Sequence, residues 1–358
     1  MEFGIWNLRL IIKKMQFDLN KLIRENIKVL KPYSSARDEF EGEASIFLDA
    51  NESPYPSSYN RYPDPHQKKL KQKISSLKNV KEAQLFLGNG SDEAIDLLFR
   101  AFCEPGVDEV LIPQPTYGMY SVSAAINNVK MNQVALTPSF DIDLVTTLQA
   151  ITPKTKLIFL CSPNNPSGNL LSPNKILEIL KAFNGLVIID EAYIDFTTSE
   201  SFISKLSQYK NLVVLQTLSK AWGLASLRLG MCFASKEIIA VLNKIKPPYN
   251  ISGTTQALAL ERIDDIETKN ILVNEILEQR RTLARELSSI KAVEHVFPSD
   301  ANFILARVNA AKQVYQKLLT RGIVVRDRSN IILCNDCLRI TVGTPTENKI
   351  LLDELNKL

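Results

Sequence analysis

Residues 157–190 read LIFLCSPNNPSGNLLSPNKILEILKAFNGLVIID, and the fold class turns on this stretch. Leu157-Ile-Phe-Leu-Cys161 is an unbroken apolar run, as expected of a strand buried on both faces. Ser162-Pro-Asn-Asn-Pro-Ser-Gly168 stops it with a rigid turn. Ile176 to Phe183 has helical period, and Leu186-Val-Ile-Ile189 is a second apolar strand that closes on Asp190. Strand, turn, helix and strand in that order predict parallel pairing. The alternation continues on both sides. Upstream, Leu85-Phe86-Leu87 precedes Gly88-Asn-Gly90, and Ser91 is the expected N-cap of a helix over Ala94 to Cys103. Glu109-Val-Leu-Ile112 is a strand before Pro113, and Leu212-Val-Val-Leu215 another just before Thr217. The reading is an α/β protein whose large domain surrounds a mostly parallel sheet. Ligands of such sheets bind at the carboxyl ends of the strands.

The pattern changes toward the C-terminus. Residues 268–290 read as one long helix, Asn302 to Ala306 and Leu338 to Val342 as strands, and Ala310 to Thr320 and Glu347 to Leu358 as helices. These elements predict a smaller α+β C-terminal domain. The expected division is a large domain over 61–267 and a small one over 268–358. Residues 15–60 are expected to pack with the small domain. Residues 1–14 read as an upstream extension, because the apolar groups Ile5-Trp6 and Leu10-Ile11-Ile12 are interrupted by Asn7 and Arg9 and no small-residue cleavage site follows.

Bulk properties exclude several classes. The chain has 358 residues, 45% of them hydrophobic and 23% charged, which is ample for a large core. A formal net charge of +4 without a basic run is too small to argue for nucleic acid. No apolar run approaches the roughly 18 residues of a membrane span. The five scattered cysteines are an odd number and fit the reducing cytoplasm better than a disulfide framework. Cys334-Asn-Asp-Cys337 lacks the further ligands of a zinc site, so no metal is expected.

The chemistry concentrates at the strand ends. Lys220 lies in Thr217-Leu-Ser219-Lys220-Ala-Trp-Gly-Leu-Ala-Ser-Leu-Arg228, among apolar neighbours that favour a lowered pKa and a nucleophilic amine. Thirty residues upstream stands Asp190-Glu-Ala-Tyr193. A lysine, an acid closing a buried strand, and hydroxyls with an arginine are what pyridoxal 5'-phosphate (PLP) requires. The lysine attaches the cofactor aldehyde, the acid keeps the pyridine nitrogen protonated, and Thr217, Ser219 and Arg228 suit the phosphate. A magnesium-binding role for Asp190 would need a nucleotide-binding glycine loop with Gly-Lys, a pair the chain does not contain. In Gly88-Asn-Gly90-Ser91-Asp92 the third glycine of a dinucleotide fingerprint is replaced by Glu93. What remains is a helix N-terminus offering the N–H groups of Ser91 and Asp92 to one phosphate, whether of PLP or of a nucleotide. Tyr117 is a candidate to stack on the pyridine ring, and Asn165 and Tyr193 to hydrogen-bond its phenolic oxygen.

Taken together these runs resemble the fold-type-I PLP-dependent aminotransferases, and within them the histidinol-phosphate aminotransferase family. The matching stretches are Pro32 to Arg37, Leu48 to Glu52, Asn60 to Pro63, Gly90 to Glu93, Pro115 to Tyr120, Cys161 to Pro166, Asp190 to Tyr193, Thr217 to Lys220, Gly322 to Asp327 and Leu338 to Gly343. The resemblance implies that Lys220 carries the cofactor and moves the proton, and that Asp190 and Tyr193 assist. It implies a homodimer in which Tyr62 reaches the cofactor phosphate of the partner. It assigns Tyr33, Asn51, Arg326 and Arg339 to substrate. Three positions depart from the family's common residues: Ser167 for Thr, Trp222 for Phe and Ser226 for Gly.

The implied reaction moves an amino group from histidinol phosphate to 2-oxoglutarate, giving imidazole acetol phosphate and glutamate in histidine biosynthesis. Guanidinium forks suit both a phosphate ester and a carboxylate, so one arginine pair can serve both amino donors. Arg339, between Leu338 and Ile340 in a strand, is expected to point to a cleft while its neighbours point to a core. A threonine-phosphate decarboxylase and an aromatic-amino-acid aminotransferase share the fold and stand as alternatives. A catalytically silent protein of the same fold is opposed by the intact lysine, acid and arginine set.

Overall fold

The computed structural model describes residues 17–34, 39–40 and 45–357. The expected extension over residues 1–14 lies outside them, as do residues 35–37 of the stretch that opens at Pro32.

The central sheet has seven strands: β1 (Leu85–Asn89), β2 (Glu109–Gln114), β3 (Lys130–Ala135), β4 (Thr155–Cys161), β5 (Leu186–Asp190), β6 (Leu212–Thr217) and β7 (Leu229–Ala234). Their spatial order is β1-β7-β6-β5-β4-β2-β3. Strands β2 to β6 pair in parallel, and β7 is antiparallel to both of its neighbours. The link from β6 to β7 is residues 218–228, too short for the dozen or more residues of a parallel crossover. The chain therefore turns straight back, and Thr217 faces Gly230 across the ladder. That return places the Lys220 loop at the carboxyl edge of the parallel strands.

Side chains alternate between two apolar layers, as a pleated strand requires. Val187 and Ile189 join one core, Leu186 and Ile188 the other. Helices α1 (Glu25–Val29), α2 (Lys68–Lys78), α3 (Gly90–Phe102), α4 (Met119–Ile126), α5 (Leu144–Gln149), α6 (Pro173–Ala182), α7 (Lys236–Ile245) and α8 (Gly253–Ile263) surround the sheet. Leu70 and Ile74 of α2, Ile176 and Ile179 of α6, and Ala259 and Ile263 of α8 cover one face. Ile95 and Leu98 of α3 and Ile238 and Leu242 of α7 cover the other. Each fully buried aliphatic side chain contributes about 1.5–3 kcal/mol. Strand ends in such a core are held rigidly, which is what a precise site needs.

Residues 17–28 differ from expectation. They pack on the large sheet's layer, not with the small domain: Phe17, Leu19, Leu22, Ile23 and Ile27 lie against the core that α3 and α7 build. Arg24 N–H donates to Ala101 O at 3.0 Å, and Lys244 Nζ donates to Ile27 O at 2.7 Å. These apolar positions find their cover over the ends of α3 and α7.

A second, antiparallel sheet has the order β10-β11-β9-β8, with β8 (Val293–Val296), β9 (Phe303–Val308), β10 (Arg326–Asp327) and β11 (Cys337–Thr341). Helices α9 (Ile266–Leu287), α10 (Ala311–Thr320) and α11 (Pro345–Leu355) bury Leu283, Leu318 and Leu351 against Ile304, Ala306, Leu338 and Ile340. The opposite face carries Phe303, Leu305, Cys337 and Arg339 and looks toward the large sheet; Leu305 and Cys337 belong to that sheet's own core. Among the described residues, no helix is long and apolar enough to cross a membrane.

Candidate active site

The parallel strands end at one level. Cys161 of β4 pairs with Asp190 of β5, and Asp190 with Leu215 of β6. The loops beyond these ends enclose a cavity lined by Gly90, Ser91, Asp92, Tyr117, Cys161, Asn165, Asp190, Ala192, Tyr193, Thr217, Ser219, Lys220 and Arg228. Ten of the residues singled out in the sequence are among them.

Asp190 forms the floor and is buried, 2% exposed. Its Oδ2 accepts from the Tyr120 hydroxyl at 2.6 Å and its Oδ1 from Ala192 N–H at 3.1 Å. Burial pushes its pKa up to about 6 in spite of both bonds, because the charged form has lost its water. A cationic ring nitrogen is the partner such an acid lacks. Lys220 stands at the open side, with Nζ 5.5 Å from the centre of the Tyr193 ring. Its side chain remains reachable by solvent, yet burial of the amine and the charge of Arg339 lower its pKa. Tyr193 is buried, edge-on to Phe303 at 5.1 Å, and its hydroxyl is held protonated chiefly by burial.

The opposite end of the cavity is built for an anion. Helix α3 begins at Gly90, earlier than the sequence suggests, so Ser91 sits in its first turn and is not the N-cap. The Gly88–Gly90 turn causes this: Gly90, at φ +71°, donates its N–H to Arg228 O at 2.5 Å. Asn89 makes no side-chain cap, and a helix start leaves its first N–H groups without intrahelical partners. A Cβ on Gly230 would stand 2.1 Å from Ser91 N, so only glycine lets β7 approach the turn this closely. Thr217 Oγ1 donates to Ser219 Oγ at 2.9 Å. The Arg228 guanidinium reaches Asp92 Oδ2 at 3.4 Å, and the Tyr117 hydroxyl donates to Asp92 Oδ1 at 3.1 Å. Backbone donors at a helix N-terminus, two hydroxyls and a half-exposed guanidinium fit a phosphate. A buried carboxylate and a lysine at the other end fit the ring and aldehyde of PLP. The donor set therefore matches the cofactor from end to end.

Arg339 enters from the small sheet. Its neighbours Leu338 and Ile340 lie in the small core, while its own Nη1 donates to Asn165 Oδ1 at 2.6 Å. Arg326 faces Arg339 across the ladder but is exposed and outside the cavity. Tyr33 and Asn51 are exposed and do not line it either. Tyr62 is exposed and stacks on Tyr249 with ring centres 4.5 Å apart, away from the cavity of its own chain.

Two residues escaped the sequence reading. Tyr120 belongs to a quoted run but received no role, since an aromatic three residues beyond Tyr117 reads as ordinary core. Arg328 lies two residues beyond Arg326, and its N–H continues the ladder to Cys337 O at 2.9 Å, so period-2 alternation places it on the same face. Its Nε is enclosed without a hydrogen-bond partner, and burial followed by the charges of Arg339 and Arg326 pushes its pKa down to about 10. That alternation is the signal by which it could have been found.

Residues 48–355 match the family described as aminotransferase class I and II. The histidinol-phosphate aminotransferase of Cytophaga hutchinsonii is 56% identical over 345 residues, covering 95% of this chain and 99% of its own. The crystal structure of the histidinol-phosphate aminotransferase from Clostridium acetobutylicum superposes with a TM-score of 0.77 at 27% identity, over 83% of this chain and 90% of its own. That from Sinorhizobium meliloti, in complex with pyridoxal-5'-phosphate, superposes with a TM-score of 0.78 at 22% identity, over 86% and 89%. The first likeness carries the family and the last the fold alone. With a lysine, a buried acid and an uncapped helix start around one cavity of a seven-stranded α/β sheet, the chain belongs to the class I and II aminotransferases, and within them to the histidinol-phosphate aminotransferases.

Proposed function

We propose that this enzyme transfers the amino group of L-histidinol phosphate to 2-oxoglutarate with PLP as cofactor, giving imidazole acetol phosphate and L-glutamate. The observation that carries the reaction class is the convergence of Lys220, Asp190 and the uncapped start of α3 on one cavity. The substrate follows from the relatives at 50% identity and above that bear this enzyme's name.

When bound, PLP supplies the electron sink that makes the substrate α-carbon acidic. The protein's residues do the rest. Ser91 and Asp92 N–H, Thr217, Ser219 and Arg228 bind the phosphate. Tyr117 covers one face of the ring. Asp190 holds a negative charge at the ring nitrogen, and Tyr193 and Asn165 donate at the phenolic oxygen. Lys220 would anchor the cofactor, and its free amine would serve as the base that takes and returns the proton of the substrate α-carbon. Its lowered pKa leaves a larger fraction of the amine free to do so. Arg339 binds the anionic end of either amino donor, and Arg326, Tyr33 and Asn51, which lie outside the cofactor cavity of their own chain, are assigned to substrate at its entrance.

The working form in this proposal is a homodimer in the cytoplasm. Each protomer lends Tyr62 to the phosphate cradle of its partner, which accords with the exposure of that ring. Five buried free thiols suit a reducing compartment. The cofactor domain spans residues 61–267 and the small domain 268–358.

The test is single-turnover conversion of the bound cofactor by histidinol phosphate, phenylalanine and threonine phosphate side by side. Histidinol phosphate is expected to react fastest, with glutamate formed on adding 2-oxoglutarate. Faster reaction with phenylalanine, or carbon dioxide release from threonine phosphate, would replace this reading with the corresponding alternative.

A further inference from the structure

We infer that Tyr120 is the positioning residue that holds Asp190 in its ionised, ring-facing state, a role that rests on the PLP reading above. Tyr120 is fully buried, and its hydroxyl donates to Asp190 Oδ2 at 2.6 Å. Its ring is fixed from two sides, stacked on Phe159 at 4.8 Å and edge-on to Tyr117 at 5.5 Å. The hydroxyl therefore has little freedom to leave the carboxylate.

Among the described residues no cation is in direct contact with the Asp190 carboxylate. Burial works against its charge, and the Tyr120 hydrogen bond is the largest influence that favours it. The other donor, Ala192 N–H, comes from the backbone two residues on and reaches the other oxygen. The side-chain groups that also face Asp190 are Asp92 of α3, Tyr117 before α4, Lys220 beyond β6, Cys161 at the end of β4 and Tyr193 beyond β5. None of them is a hydrogen-bond donor to the carboxylate. With Oδ2 engaged by Tyr120 and Oδ1 by Ala192, rotation of the carboxylate would break one bond or the other, and the group so held lines the cavity. Tyr120 thereby sets both the direction and the charge of the group that meets the cofactor ring.

Tyr120→Phe keeps the ring and its stack on Phe159 and removes only the donor. The experiment is a double-mutant cycle on PLP affinity, read by equilibrium dialysis of apo-protein with wild type, Tyr120→Phe, Asp190→Asn and the double variant. Tyr120→Phe is expected to weaken PLP binding about 10- to 100-fold, the range of a hydrogen bond to a charged group. In the Asp190→Asn background, where no charge remains to be set, the same change is expected to cost about twofold or less. The pH profile gives a second readout. Wild-type affinity is expected to fall as pH drops through about 6, and that midpoint to move up by about one unit in Tyr120→Phe. Equal losses in both backgrounds, or an unmoved midpoint, would overturn the proposal, leaving Tyr120 a packing residue. Wild-type protein that fails to bind PLP would remove the cofactor reading and this inference together, whereas PLP binding with additive losses removes the inference alone.

Discussion

Arg339 Nη1 donates to Asn165 Oδ1 at 2.6 Å, joining the small sheet to the loop that follows β4. The guanidinium also lies over the Phe303 ring, 5.3 Å from its centre, and burial lowers its pKa. Among the described residues no carboxylate stands within ion-pair distance of Arg339, so none of them neutralises its charge. Removing it should hurt both halves of the reaction, because both amino donors present an anion. Arg339→Ala is expected to lower kcat/KM about 10- to 150-fold for histidinol phosphate and for glutamate alike. Arg339→Lys should recover only part, since an ammonium lacks the fork. Stopped-flow half-reactions decide it. A loss confined to glutamate would transfer the phosphate to Arg326, Arg328 and Tyr33.

Lys220→Ala should abolish borohydride trapping of PLP and nearly all turnover, while PLP remains bound through the cradle at the start of α3. The two ends of the cavity are built by different elements, so losing the lysine leaves the phosphate donors intact. Mass spectrometry after borohydride treatment, beside equilibrium dialysis, separates attachment from binding. Trapping at normal stoichiometry in the variant would place the attachment at another lysine.

The sequence displayed those parts of the fold whose patterns are local. Strands β4, β5 and β6 contain the apolar runs 157–161, 186–189 and 212–215 because both faces are covered, and β5 and β6 end in Asp190 and Thr217, which line the cavity. Strand β3 is different. Lys130–Ala135 is an edge strand in which half the side chains are polar and Val134 alone is buried, and nothing in its periodicity separates it from a loop. Strand β10 is two residues long, too short for any pattern. The N-cap placed at Ser91 failed because backbone geometry at Gly90, enforced by Arg228, set the helix start. Tyr120 stayed hidden because its partner Asp190 lies 70 residues along the chain, and Arg328 because a two-residue strand gives too little alternation to show its face. An aromatic against a distant acid reads as core, and a third arginine beside two others reads as surface.

Asp190→Asn tests the electrostatics of the cavity floor through pH. Burial raises the folded-state pKa of Asp190 to about 6, against an ordinary 3.8. Between those values the folded apo-protein keeps a proton that the unfolded chain has released. Stability therefore falls as pH rises from about 4 to about 6, and the penalty persists above. Apo Asp190→Asn is expected to be more stable than wild type at pH 7–8, by about 2–3 kcal/mol at most, with the gap closing below about pH 4. Loaded with PLP, the same variant should lose at least about tenfold in rate, because an amide cannot pair with the ring cation. Urea titrations of the apo-protein at pH 4 and pH 8 measure the first effect. An unchanged difference between the two pH values would show that Asp190 is already ionised at no cost.

Gly90→Ala probes the phosphate cradle from the backbone side. At φ +71° an alanine carries the left-handed penalty of about 1–2 kcal/mol. Its Cβ would also stand 2.6 Å from Arg228 Nη2, so the guanidinium must move. Arg228 is held only loosely, by Asp92 Oδ2 at 3.4 Å and Ala225 O at 3.4 Å, and it can swing outward without disturbing the core. The expected result is a folded protein whose PLP affinity is weaker by about tenfold or more, the value of one charge-assisted contact. Gly118→Ala serves as the control. Gly118 has helical φ, −65°, and a Cβ there meets nothing within 4 Å. Exchanging glycine for alanine at such a compatible site stabilises by about 0.4–1 kcal/mol through the unfolded chain. PLP titration by fluorescence quenching, beside thermal melts, distinguishes the two. Equal affinity in Gly90→Ala and wild type would mean that Arg228 does not hold the phosphate, and that the N–H groups of α3 with Ser219 suffice.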